Sequence, residues 1–121
     1  RASCVAIGAE VDDWDRWFVQ FADGSTKGSY PDGMDEPLED ARKAGRRVET
    51  VAFGEDYDTF FIVYTDGYWN HSGDMPSGLQ EVLEQRQRRA DLTAVSLGPD
   101  GEWFLEAKNG RWWTGNLPEN L

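Results

Sequence analysis

Three groups of residues in this chain are of a type and spacing that could do chemistry. Carboxylates gather at Asp12, Asp13 and Asp15, again at Glu55, Asp56 and Asp58, and a third time at Asp100 and Glu102. A hard cation such as Ca²⁺ prefers several oxygens of this kind, but the spacing of an EF-hand loop is absent. The same clusters suit a solvated rim or a face for a basic protein partner. The second group is aromatic: Trp69-Asn70-His71, and Trp112-Trp113 followed by Asn116. An exposed ring beside hydrogen-bonding groups can stack on a sugar or anchor a partner's side chain. Trp112 and Trp113 are adjacent, so on a strand they face opposite sides and only one belongs to a given core layer. The third group is the single thiol, Cys4, and the single imidazole, His71. A nucleophile and its base must lie within hydrogen-bond reach, and no spacing in the chain puts these two there. Asn70-His71-Ser72 also matches the glycosylation acceptor triplet, a pattern common by chance.

Composition excludes much else. One cysteine rules out an internal disulfide framework and any multi-thiolate metal site. No nucleophile elbow, phosphate-cradling loop or His-Glu-x-x-His spacing occurs, so neither a cofactor nor a metal is expected. Twelve basic residues against 23 acidic ones give a net charge of −11, whose field repels phosphate and argues against nucleic acid and anionic membranes. No apolar run approaches the roughly 20 residues of a membrane span, and no signal-peptide pattern opens the sequence. A disulfide-free composition leans toward an intracellular setting.

What positions the three groups is a repeat. Trp17-Phe18-Val19-Gln20-Phe21-Ala22-Asp23-Gly24 aligns with Phe60-Phe61-Ile62-Val63-Tyr64-Thr65-Asp66-Gly67 and with Trp103-Phe104-Leu105-Glu106-Ala107-Lys108-Asn109-Gly110, the glycines 43 residues apart both times. Upstream stand Val5-Ala6-Ile7-Gly8, Val51-Ala52-Phe53-Gly54 and Val95-Ser96-Leu97-Gly98. Downstream stand Pro31-Asp32-Gly33-Met34, Pro76-Ser77-Gly78-Leu79 and Pro118-Glu119-Asn120-Leu121. Three motifs, each met three times in one order, define a tandem array.

Each motif predicts an element. Val-small-Φ-Gly reads as a short strand, and its small column (Ala6, Ala52, Ser96) implies close packing on that face. The aromatic run is a longer strand whose core face is expected at Trp17/Val19/Phe21, Phe60/Ile62/Tyr64 and Trp103/Leu105/Ala107. Asp-Gly or Asn-Gly then suits a two-residue type I′ hairpin, so third strands follow near 25–30, 68–72 and 111–115. After them the period becomes helical: Met34, Leu38 and Ala41, then Leu79, Val82 and Leu83. Acidic residues in the first turns (Asp35, Glu36, Glu39; Glu81, Glu84) and basic ones in the last (Arg42, Lys43, Arg46, Arg47; Arg86, Arg88, Arg89) suit the helix dipole. The basic ends therefore need no phosphate or partner to explain them.

The reading is one mainly-β repeat domain over residues 1–121, an α+β array of three meanders, each followed by a helix. The units span residues 4–47, 48–91 and 92–121. The third stops at Leu121, where its helix is expected to begin, which points to a longer array or to a unit completed by a partner. The pattern resembles β-propeller repeats, in which radial meander sheets surround an axis. That resemblance implies radial packing, with the helix in place of an outer fourth strand. The Gly-His and Trp-Asp pair of WD-type blades and the kelch glycine pairs are absent, and stacked solenoid packing fits the same motifs.

Repetition yields equivalent positions, whereas catalysis needs one unique constellation. The expected function is thus a non-enzymatic binding or scaffolding module for protein partners, self-assembling through unpaired repeat ends. A lectin-like carbohydrate-binding module using Trp69, Asn70, His71, Trp112, Trp113 and Asn116 is the alternative. A small enzyme using Cys4 or the acidic rim comes third.

Overall fold

A computed structural model describes residues 2–73, 75–86, 90–98 and 100–116. The downstream motif of the third repeat, along with Arg88 and Arg89, lies outside the described residues. Among the described residues nine strands form three separate antiparallel sheets of three, each in chain order. The first holds β1 (Ala2–Val11), β2 (Trp14–Phe21) and β3 (Thr26–Ser29). The second holds β4 (Val48–Phe53), β5 (Phe60–Tyr64) and β6 (Trp69–His71), and the third holds β7 (Leu92–Leu97), β8 (Trp103–Ala107) and β9 (Trp112–Gly115). Helix α1 (Asp35–Lys43), entered through a 3-10 turn at Asp32–Met34, follows the first sheet, and α2 (Ser77–Gln85) follows the second. Neither helix is long and apolar enough to cross a membrane.

The three hairpins between the second and third strands share one geometry, and it is not the two-residue turn the sequence suggests. Gly24, Gly67 and Gly110 donate to the carbonyls of Phe21, Tyr64 and Ala107 at 2.9, 2.9 and 3.0 Å. The N–H groups of Phe21, Tyr64 and Ala107 in turn donate to Ser25, Tyr68 and Arg111. Only the glycine of each pair has positive φ. This is a type I turn closed by a glycine bulge. The acidic or amide residue keeps negative φ, because its side chain accepts from the N–H two residues on: Asp23 from Ser25 at 2.9 Å, Asp66 from Tyr68 at 3.1 Å, Asn109 from Arg111 at 2.9 Å.

Strand β4 packs against both β1 and β7, so the sheets stack in chain order. Two cores result. Cys4, Phe18, Met34, Ala41, Val51, Phe53, Phe60, Ile62 and Tyr64 fill the first, between the first and second sheets. Ala52, Phe61, Val63, Leu79, Leu83, Val95, Trp103 and Leu105 fill the second. Every residue of β5 is therefore buried, whichever way it points. For the first sheet the expected core face is reversed: Phe18 and Gln20 point inward, while Trp17, Val19 and Phe21 face outward. Among the described residues no other sheet packs on that side.

Glycine sets the spacing between successive units. The ring of Phe60 lies on Gly33, where an added Cβ would stand 3.3 Å away, and the ring of Trp103 lies on Gly78, where it would stand 3.2 Å away. Gly33 lies in the turn that enters α1 and Gly78 in the first turn of α2, so one contact recurs at each junction. The helices differ in their charges. Helix α1 has Asp35 and Glu36 in its first turn and Arg42 and Lys43 in its last. Helix α2 departs from the expected polarity, with no acidic residue in its first turn and no basic one in its last. It starts directly after Pro76, which leaves Glu81 and Glu84 too far along, and Arg86 turns inward to pair with Asp91.

Candidate functional site

The acidic clusters lie in the loops joining the first two strands of each sheet, and stacking brings neighbouring loops to one rim. Asp12 and Asp58, from successive units, line a hollow of about 470 Å³ with Asp32, Trp14 and Tyr57. The Trp14 and Tyr57 rings stand 6.4 Å apart. Glu55 and Asp56 meet Glu102 and Asn116 around a second hollow of about 390 Å³. Asp13 and Asp100 are exposed on the same loops, and Asp15 is exposed at the start of β2. Among the described residues no three His, Cys, Asp or Glu side chains converge as metal ligands would.

Arg16 ties this rim together, and sequence reasoning missed it. Its side chain is 1 % exposed. It donates to the Ala9 carbonyl from Nε and Nη2, and to the Asp56 carbonyl of the next unit from Nη1 at 2.9 Å. The guanidinium also lies 5.4 Å from the Phe53 ring centre. Burial lowers its pKa from the ordinary arginine value, opposed by Tyr57 and Asp56. A buried guanidinium satisfied by backbone carbonyls is a structural brace. The available signal was parity: Arg16 shares the inward face with Phe18 and Gln20.

The third-strand aromatics divide. Trp69 is half-buried against the second core. Asn70 accepts from the Tyr64 hydroxyl at 2.6 Å. His71 stacks on Phe61 with centroids 5.6 Å apart, and its Nδ1 lies 2.6 Å from the Ser72 carbonyl. Trp69, Asn70 and His71 border a hollow of about 300 Å³ together with Tyr68. Trp113 packs on the second core, with Arg86 and Arg111 each 4.8 Å from its ring centre. Trp112 faces the other way, 59 % exposed, stacked on Phe104 at 6.1 Å. Asn116 donates to the Gly101 carbonyl at 3.0 Å and closes the end of the third sheet.

Cys4 and His71 are not brought together. Cys4 belongs to the first core, and burial, then Glu49, raise its thiol pKa. His71 shares the face of Phe61, which looks toward the second core. The second sheet stands between them.

One uncovered apolar surface includes Trp17, which the sequence assigned to the core. Val5, Ile7 and Trp17 stand on the outer side of the first sheet, 60 %, 82 % and 37 % exposed. No family model, curated protein or solved structure matches this chain.

Proposed function

We propose that this chain is a non-enzymatic, repeat-built binding or scaffolding module for protein partners, its three sheets packed as units of a propeller-like array. The carrying observation is the outer face of the first sheet. Soluble monomers seldom present a contiguous apolar patch without using it, and Val5, Ile7 and Trp17 form one on a regular β surface. Aromatic and aliphatic side chains on a rigid sheet lose little conformational freedom on binding, which favours a protein partner. The acidic rim keeps the module soluble and steers basic surfaces toward it.

Cross-linking with mass spectrometry in cell extract tests this reading, comparing the parent chain with Ile7→Glu. Protein cross-links near β1 are expected in the parent and lost in the variant. An identical set of cross-links in both proteins would remove the reading.

The exposed Trp112 platform favours a second reading, a carbohydrate-binding module. A ring more than half exposed and held flat by Phe104 suits stacking on a sugar. A glycan screen of the parent chain against Trp112→Ala decides it: binding lost in the variant supports the platform, and no binding by either protein ends it.

A further inference from the structure

We propose that the outer face of the first sheet docks a second copy of this chain, received head-to-tail by the outer face of that copy's third sheet. The inference rests on the binding-module reading and names its partner.

Two internal contacts set the pattern. An added Cβ at Gly8 of the first sheet would stand 2.8 Å from Cβ of Phe53 in the second. One at Gly54 of the second sheet would stand 3.5 Å from Cδ1 of Leu97 in the third. Each time, the third residue of the Val-small-Φ-Gly motif rests at the glycine of the preceding sheet. Ile7 is the remaining such residue, 82 % exposed, and Gly98 is the remaining glycine. The nearest neighbour of an added Cβ at Gly98 is the loop side chain of Glu102, whose carboxyl carbon would stand 2.8 Å away and must swing aside to admit Ile7.

Other positions agree. Val51 and Val95 are 7 % and 6 % exposed, but their counterpart Val5 is 60 % exposed. Phe60 and Trp103 are both 5 % exposed, but Trp17 is 37 % exposed. On the receiving side, Phe18 and Phe61 are fully covered by the sheet that follows, while Phe104 is only half-buried. Trp112 is exposed where its counterpart Trp69 is packed into the second core. The first sheet thus presents apolar side chains short of a seat, and the third presents seats of the kind used twice within the chain. Pairing two first sheets face to face would set Ile7 against Ile7 and leave Trp112 uncovered. The contact uses two different patches and is heterologous, so each molecule offers one of each.

The test is complementation, read by sedimentation velocity of the 121-residue chain at up to about 100 μM, where an association of micromolar strength is populated. The variants are Ile7→Lys, which spoils the docking face, and Trp112→Lys, which spoils the receiving face. Both side chains are exposed, so circular dichroism and urea midpoints should match the parent. The parent chain should associate, and each variant alone should do so at least about tenfold more weakly, as loss of a central anchor implies. An equimolar mixture should regain a 1:1 complex, because one intact face of each kind remains. A parent chain that stays monomeric overturns the inference, as does a Trp112→Lys variant that associates as well as the parent. If the parent is monomeric yet forms Ile7-dependent cross-links to other proteins, the inference fails and the binding-module reading stands. If both experiments are blank, both fall.

Discussion

Gly24, Gly67 and Gly110 occupy one turn position three times, at φ of 91°, 91° and 87°, and so provide an internally controlled perturbation. Alanine at any of them meets the left-handed penalty of about 1–2 kcal/mol. Surroundings then separate the three. Nothing lies within 4 Å of a Cβ at Gly110, and at Gly24 the nearest atom is Cζ of Arg47 at 3.5 Å, an ordinary contact. At Gly67 the new carbon would overlap the Ala90 carbonyl, 2.5 Å from its carbon. Relief requires the backbone to move where Leu92 donates to the Gly67 carbonyl at 3.2 Å. Overpacking adds about 1–3 kcal/mol and a weakened backbone hydrogen bond about 1 more. Gly67→Ala should therefore lose roughly 3–6 kcal/mol, and the other two variants only the turn penalty. Urea unfolding followed by tryptophan fluorescence measures this, with a slope of about 1–3 kcal/mol per molar for a domain of this size. Three equal midpoint shifts would refute the Gly67–Ala90 contact. A neutral Gly110→Ala would refute the turn assignment itself.

Trp17→Ala and Trp103→Ala remove one residue type from equivalent positions. The exposures of 37 % and 5 % differ by about 80 Å² of buried surface, or about 2 kcal/mol, so at about 1 μM the Trp103 variant should be the less stable by that much or more; equal urea midpoints would contradict it. Burial raises the Tyr64 pKa from 10.0 to about 12, with Arg46 lowering it and Asp66 and Asp40 adding to the rise. The folded state thus holds its proton after the unfolded chain has lost its own, so this stability is complete below pH 10 and fades by about 3 kcal/mol as pH climbs toward 12. Tyr64→Phe should flatten that part of the pH profile of urea midpoints, and an unchanged profile would count against the burial argument. The buried Cys4 thiol should react with an aromatic disulfide reagent at pH 8 at least about 100-fold more slowly in the folded chain than in denaturant; comparable rates would place it at the surface.

Local chemistry was the legible part of this sequence. The Asp-Gly and Asn-Gly pairs placed all three hairpins, because the conformational demand is met within five residues. The helical spacing of Met34, Leu38 and Ala41 placed α1 for the same reason. Face assignment was not legible for the first sheet. In Trp17-Phe18-Val19-Gln20-Phe21 both faces carry large apolar side chains, and which is covered depends on whether a sheet precedes. In β5 the same ambiguity vanished, since both faces are covered. Repeat symmetry pointed to neighbouring acidic loops, but Arg16, which braces two of them, was not legible, because its partners are backbone carbonyls that leave no mark on composition. Trp112 and Trp113 were correctly set on opposite sides by adjacency alone; that Arg86 and Arg111 would take Trp113 needed the fold.

The burial of β5 on both faces bears on how the molecule opens. Detaching an end sheet gives up one neighbour, whereas detaching the middle sheet gives up two, so in a nearest-neighbour description the chain loosens from its ends inward. Amide protons of β4 and β5 should exchange with solvent only when the whole molecule unfolds, while those of β3 and β9 escape through partial openings. A destabilising change in the second sheet then shortens the lifetime of the entire fold, and the same change in an end sheet is felt first as local fraying.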